Sequence, residues 1–135
     1  MKILVLGSGL MGPAAAFNAM SDPQVSQVTL CDKSQAQLDA AQAKLDSMPG
    51  GDKLTTAALD LGDQAAAARL MADFDAVVAA LPKPVIPLGI RAAVEARRPL
   101  VDLSWPLAPE VARLKQEVEA AGLGPGQAGG QVLRC

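Results

Sequence analysis

The sequence predicts an α/β domain: a doubly wound parallel sheet of about five strands with helices on both faces. Three observations predict it. Apolar strand patterns alternate with helical ones along the chain. The opening run Lys2-Ile3-Leu4-Val5-Leu6 leads directly into Gly7-Ser8-Gly9-Leu10-Met11-Gly12. About twenty residues further on, the spacing that such a unit requires, the strand pattern Val28-Thr29-Leu30-Cys31 ends in Asp32.

Each part of that opening has a physical task in a Rossmann-like, dinucleotide-binding unit. Gly7 permits the tight turn out of the first strand. Gly9 lets backbone approach a pyrophosphate that a Cβ would push away, and Gly12 lets the helix pack closely on the strand. The phosphates would sit at the helix N-terminus, where unpaired N–H groups and the macrodipole favour negative charge. Asp32 would accept hydrogen bonds from the adenosine ribose hydroxyls. A glycine motif alone is a weak signal, because glycine-rich turns recur by chance and the plain alternative is an ordinary tight turn. The strand before it, the helix after it and the acid at the expected distance favour the nucleotide.

The remaining elements follow in order. Pro13 falls in the first turn of the first helix, where its missing N–H costs little. Ala14, Ala15, Ala16 and Ala19 suit a helix close to the sheet, and Ser21-Asp22-Pro23 ends it. The second strand covers residues 27–31. Ser34 and Gln37 form a capping box for a helix over residues 35–47, with Leu38, Ala41, Leu45 and Met48 as its buried stripe. Pro49-Gly50-Gly51 stops it, and a weaker third strand runs near residues 54–59. Asp63 is the expected N-cap of an alanine-rich helix to Ala72. Residues 75–81 form a fourth strand, apolar enough to be buried on both faces, closed by Pro82-Lys83-Pro84. Ile86, Ile90 and Val94 share one side of the next helix, and residues 99–104 are the fifth strand. A last helix starts near Pro109, turns Val111, Leu114 and Val118 inward and closes at Gly122. Beyond it the composition is that of a loop, without an apolar sixth strand.

Composition narrows the function. A chain of 135 residues is expected to be one domain. Half of it is hydrophobic but only 2% is aromatic, so the core is built from Ala, Val, Leu, Ile and Met. The net charge of −2 gives no footprint for nucleic acid or an anionic membrane. The opening apolar run is too short for a signal peptide, and no stretch reaches a membrane span. Two cysteines make no disulfide framework, so a cytoplasmic protein is expected. With no His and no Tyr, the commonest acid–base groups of dehydrogenases are absent. No metal site is expected, and no catalytic residue can be named.

With these segments laid out, the chain resembles the N-terminal NAD(P)-binding domain of the saccharopine dehydrogenase and lysine 6-dehydrogenase family. The likeness rests on residues 2–12 with the helix to Met20, the strand ending in Asp32, and Leu59-Asp60. It continues in Ala76-Val77-Val78-Ala79-Ala80-Leu81-Pro82 and in Arg91-Ala92-Ala93-Val94-Glu95-Ala96 leading to Val101-Asp102-Leu103-Ser104. The Ala-Leu-Pro ending of strand four with Val-Asp-Leu-Ser on strand five is its more particular part. It spans residues 1–121, leaving residues 122–135 as a Gly-rich tail.

The resemblance implies an oxidoreductase that acts on the C–N bond of an amino acid or its imine adduct by hydride transfer with a nicotinamide. In that family the substrate-binding and dimer-forming domain lies after this one. The chain is therefore expected to be a truncated or altered member, its frame shifted after about Gly122, and inactive by itself. Gly7, Ser8, Gly9, Leu10, Met11 and Gly12 correspond to the pyrophosphate loop and Asp32 to the ribose contact. Asp32 favours NAD over NADP, because a 2′-phosphate would face a carboxylate, and the adjacent Lys33 partly offsets this. Asp60 and Leu61 correspond to adenine-edge contacts, while Ala80, Leu81 and Pro82 would lie beside the nicotinamide half. The partner implied is a small amino-acid substrate, and an open sheet edge makes a homo-oligomer conceivable.

Other residues have plainer readings. Lys83 reads as a solvated loop lysine that would otherwise meet a substrate carboxylate. Asp102 and Ser104 are weaker substrate-side candidates. Cys31 reads as a small buried hydrophobe, Cys135 as an exposed terminal thiol, and Trp105 as loop or partner packing. Arg97-Arg98 complements a helix C-terminus. The competing function is a non-catalytic NAD(H)-sensing regulatory module, which shares the glycine loop and the ribose acid. A methyltransferase would place an acid just ahead of the glycines, where Val5-Leu6 stands.

Overall fold

The computed structural model describes residues 1–103, 113 and 116–120, and the strand pairing of residues 133 and 134. Expectations for Ser104, Trp105, Pro109, Val111, Leu114, Gly122 and Cys135 lie outside the described residues. In chain order the elements are β1 (Lys2–Leu6), α1 (Met11–Met20), β2 (Gln27–Asp32), α2 (Gln35–Leu45), β3 (Leu54–Ala58), α3 (Gln64–Ala72), β4 (Ala76–Ala79), α4 (Ile86–Ala96), β5 (Leu100–Asp102) and β6 (Leu133–Arg134). Short 3₁₀ turns at Gly51–Lys53 and Lys83–Val85 lead into β3 and α4.

The strands lie in the order β3-β2-β1-β4-β5-β6, and every neighbouring pair is parallel. This is the Rossmann-like order, with its switch point between β1 and β4. The expected five strands form the body of the sheet. The two-residue β6 extends its edge, pairing Leu100 with Leu133 and Val101 with Arg134. The sequence assigns those residues to the tail, because so short an edge pairing is made by backbone groups and leaves no hydrophobic run to read.

Alternation along β1 divides the core. Leu4 and Leu6 face a cluster with Met71, Phe74, Val77, Ile86, Ile90 and Leu100, beneath α3 and α4. Ile3 and Val5 face the other side, with Met20, Val28, Leu30, Leu38 and Leu45 beneath α1 and α2. The central strand is thus buried on both faces, as its unbroken apolar run requires. In β4 the same holds only for Val77 and Ala79, while Ala76 and Val78 remain half-buried. They face the side on which α1 and α2 pack against β1, β2 and β3. Helix α2 ends at Leu45, short of the expected boundary, and Met48 lies 42% exposed instead of continuing the stripe. Val118 is buried, as predicted. Among the described residues no helix is long and apolar enough to cross a membrane.

The caps follow their chemistry. Asp63 Oδ1 accepts from the Ala66 N–H at 3.1 Å at the start of α3. Lys53 Nζ donates to the Met20 and Asp22 carbonyls at the end of α1, both at 3.1 Å. Arg98 Nη2 donates to the Ala72 carbonyl at 2.8 Å, at the end of α3, and its Nη1 makes a longer 3.5 Å bond to the Arg97 carbonyl that closes its own helix. Arg97 closes α4 in the left-handed region at φ 54°, a conformation that costs a side-chain-bearing residue about 1–2 kcal/mol. Glycine there loses more unfolded-state entropy but carries no Cβ clash. Arg97→Gly is therefore expected to stabilise the fold by about 0.5–1 kcal/mol, read as a higher urea midpoint at unchanged slope.

Candidate functional site

The site forms where the strands end. Backbone hydrogen bonds continue the sheet past its strands: Gly7 N–H donates to Cys31 O at 2.7 Å, Ala80 N–H to Leu6 O at 2.8 Å, Leu59 N–H to Asp32 O at 2.9 Å and Leu103 N–H to Ala79 O at 2.9 Å. These bonds bring the loops after β1 to β5 side by side at the carboxyl edge. There they enclose a cleft of about 640 Å³, at the location where open α/β sheets bind ligands.

The three motif glycines differ in what holds them. Gly7 sits at φ 95°, and a Cβ there would lie 2.4 Å from the Ala80 carbonyl oxygen. A Cβ at Gly12 would lie 1.7 Å from Gly7 O, so helix and turn touch through that position. Around Gly9 nothing lies within 4 Å of the equivalent point. The described residues give no steric reason for a glycine at position 9. Helix α1 begins beside it with Leu10, whose backbone is already helical and whose side chain caps nothing, and its first turn holds no acid. Its leading N–H groups are thus left without side-chain acceptors. Leu10 is 92% exposed and Met11 54% exposed, both on the cleft rim.

Asp32 lies at the other side of the glycine turn. Its Oδ1 accepts from the Ser34 N–H at 2.8 Å and its Oδ2 from the Ser8 N–H at 2.9 Å. Partial burial pushes its pKa up, but these backbone donors, with the Ser8 hydroxyl and the Lys33 backbone, outweigh burial and hold it below the usual carboxylate value. The carboxylate is therefore ionised at neutral pH. Next to it, burial and then the Asp32 charge push the Cys31 thiol up to about 12. Cys31 is a protonated, apolar piece of the cleft wall, as its core reading predicts, and no nucleophile.

Of the residues singled out in the sequence, Gly7, Gly9, Leu10, Met11, Asp32, Lys33, Asp60, Leu61, Ala80, Leu81 and Pro82 line this one cleft. Ser8 and Gly12 do not; both are buried behind the turn. Asp60 is exposed, and its Oδ1 accepts from the Gly62 N–H at 2.8 Å in a local turn. Leu61 is buried, its carbonyl held by Gln64 Nε2 at 2.7 Å, which also donates to Leu88 O at 3.1 Å. Lys83 is exposed and stands outside the lining, as does the buried Asp102, whose neighbour Leu103 lines the cleft instead.

The lining residues that sequence reasoning missed are Leu6, Cys31, Gln37, Leu59, Val85, Leu88 and Leu103. Four of them adjoin or belong to strand ends already identified. The sequence places Gln37 in a capping box, yet only half of that box forms. Ser34 Oγ accepts from the Gln37 N–H at 3.4 Å, while Ser34 N–H turns to Asp32 instead of the Gln37 side chain.

Residues 3–123 match the family described as saccharopine dehydrogenase NADP binding domain. The chain belongs to that family. Its glycine turn, the acid after β2 and the Ala80-Leu81-Pro82 wall all fall within the matched span. Among solved structures, apo saccharopine dehydrogenase (L-Glu forming) from Saccharomyces cerevisiae superposes with a TM-score of 0.70 at 24% identity. The match covers 90% of this chain and 25% of that one. Scyllo-inositol dehydrogenase from Lactobacillus casei with bound NAD(H) and scyllo-inositol gives 0.66 at 21% identity, covering 90% and 33%. A probable dehydrogenase from Thermotoga maritima gives 0.69 at 19%, covering 90% and 34%. These likenesses establish the fold. The chain spans about a quarter to a third of the length of these dehydrogenases.

Proposed function

We propose that this domain holds NAD(H), in preference to NADP(H), as the coenzyme-binding part of an oxidoreductase acting on the C–N bond of an amino acid. One observation carries the coenzyme reading. Position 9 is open, beside an uncapped helix start and across the turn from an ionised carboxylate, all on one cleft. A diphosphate fits the first two features, because a Cβ at position 9 would occupy the space where phosphate oxygens meet the helix N–H groups. A ribose diol fits the third, because an acceptor-only carboxylate takes two donated hydroxyl hydrogens. The amino-acid substrate rests on the family match and on the saccharopine dehydrogenase superposition.

In this reading Leu10 and Met11 flank the diphosphate, Asp60 and Leu61 meet the adenine edge, and Ala80, Leu81 and Pro82 give the nicotinamide an apolar wall. When bound, the nicotinamide supplies or accepts the hydride. The chain's own residues bind and orient it. Asp32, held ionised by backbone donors and the Ser8 hydroxyl, repels a 2′-phosphate, and the exposed Lys33 weakens that repulsion without removing it.

Titration with NADH and NADPH, followed by nicotinamide fluorescence, is expected to give saturable binding, with NADH tighter by about tenfold. Equal or reversed affinities would overturn the preference, and no binding of either would overturn the coenzyme reading. The 135-residue chain is expected to bind NADH while producing none from NAD and lysine or saccharopine. In this reading the cleft residues bind and orient a coenzyme, and among the described residues those lining the proposed nicotinamide end carry no ionisable side chain. Measurable amino-acid-dependent NADH formation would contradict that.

A further inference from the structure

Ser8 occupies a position from which it acts on two other side chains. It is buried and does not line the cleft. Its backbone N–H donates to Asp32 Oδ2 at 2.9 Å, and its hydroxyl is shared between the Asp32 carboxylate, whose pKa it helps to lower, and Gln37 Oε1 at 3.4 Å. Asp32 and Gln37 both line the cleft. One buried residue of the glycine turn thus sets the orientation of a carboxylate and of a carboxamide that stand side by side.

Orientation decides what an amide offers. A carboxamide has one acceptor oxygen and one donor nitrogen. With Oε1 directed at the Ser8 hydroxyl, Nε2 is the arm left for a ligand, and among the described residues it has no hydrogen-bond partner. The pair Asp32–Gln37 therefore presents an ionised acceptor next to a fixed donor. A hydroxyl both donates and accepts, so it satisfies the two groups at once, whereas a single acceptor would satisfy only half of it. Gln37 sits in the first turn of α2, after the β2 strand end. In this fold that region faces the 2′ position of the adenosine ribose.

We infer that Gln37, with its amide oriented by Ser8, is a specificity-determining residue that donates through Nε2 to the 2′-hydroxyl of the adenosine ribose while Asp32 accepts from it. The inference rests on the coenzyme reading above and adds a residue that neither the glycine motif nor the acid after β2 contains. Ser8 is a positioning residue in this arrangement, because it touches the ligand only through Gln37 and Asp32.

The test compares NAD with its 2′-deoxyadenosine analogue by calorimetry on the full chain. Gln37→Glu keeps the length and the acceptor facing Ser8 but removes the donor; Gln37→Met removes both polar atoms. Gln37 is exposed, so neither change is expected to move the unfolding midpoint. Each is expected to weaken NAD binding about fivefold, the worth of one net hydrogen bond, and to leave the deoxy analogue within about twofold. Ser8→Ala, which frees the amide to turn, is expected to shrink the NAD-to-analogue ratio in the same direction by a smaller factor. Retention of the wild-type ratio in either Gln37 variant, or an equal loss for both ligands, overturns the assignment while the coenzyme reading stands. Failure of the unaltered chain to bind NAD overturns both.

Discussion

Replacing Gly9 with alanine is expected to leave the stability of the folded chain unchanged and to weaken NADH binding about 10- to 100-fold. The added methyl meets nothing within 4 Å, so the fold has no reason to object. It would stand between the helix N–H groups and a diphosphate, removing one charge-assisted hydrogen bond worth about 1.5–3 kcal/mol. Gly12→Ala is the matched control with the opposite cause. Its Cβ would lie 1.7 Å from a backbone oxygen of Gly7, and no rotamer change can relieve a backbone contact. It is expected to cost about 3 kcal/mol of stability, the upper end of what overpacking costs, and to lose binding because the turn itself is displaced. Urea melts with NADH titrations on both variants separate a glycine kept for a ligand from one kept for packing. If Gly9→Ala binds NADH as well as the unaltered chain, the diphosphate has been assigned to the wrong place.

Asp32→Ala is expected to weaken NADH about 10- to 100-fold, the loss of hydrogen bonds to a charged acceptor, and to leave NADPH nearly unaffected, so that the preference vanishes or reverses. The pH dependence follows from the same carboxylate. Its folded pKa is depressed, with backbone donation from Ser34 and Ser8 outweighing burial. A depressed carboxylate contributes stability that is fully present above its unfolded pKa, near the ordinary 3.8, and is lost as pH falls through the lower folded value. Between pH 5 and 8 the group stays ionised, so the affinity for NADH, which carries no 2′-phosphate, is expected to be flat across that range. The destabilisation caused by Asp32→Asn is expected to be present at pH 7 and to fade on acidification below about pH 4. An NADH affinity that titrates near neutrality would point to a group other than Asp32.

How much of the site was legible depends on what each residue answers to. Gly7, Gly9, Asp32, Ala80 and Pro82 were readable because strand ends are marked by abrupt changes in composition, and ligands of parallel sheets gather at those ends. Val85 and Leu88 were not. They line the cleft from the approach to α4 and its first turn, where an apolar residue facing a ligand has the same pattern as one facing the core. Gln37 was read locally as half of a capping box. The partner that diverts its side chain, Ser8, is 29 residues away in the chain. Met48 failed for the complementary reason: helical spacing continued past the residue where the backbone stopped being helical.

Local sequence by itself determined the parallel α/β order, the glycine turn, the acid after β2 and the helix starts at Asp63 and Ser34. Strand period, backbone sterics and capping act over a few residues and leave their mark in place. Only the tertiary structure decided that Gly12 is held by packing while Gly9 is not, that Arg98 reaches across to the end of α3, and that Ser8 governs two side chains from behind the cleft. Those outcomes depend on which groups lie within hydrogen-bond or van der Waals reach across the sheet, and such distances are set by the packed core, not by neighbours in the chain.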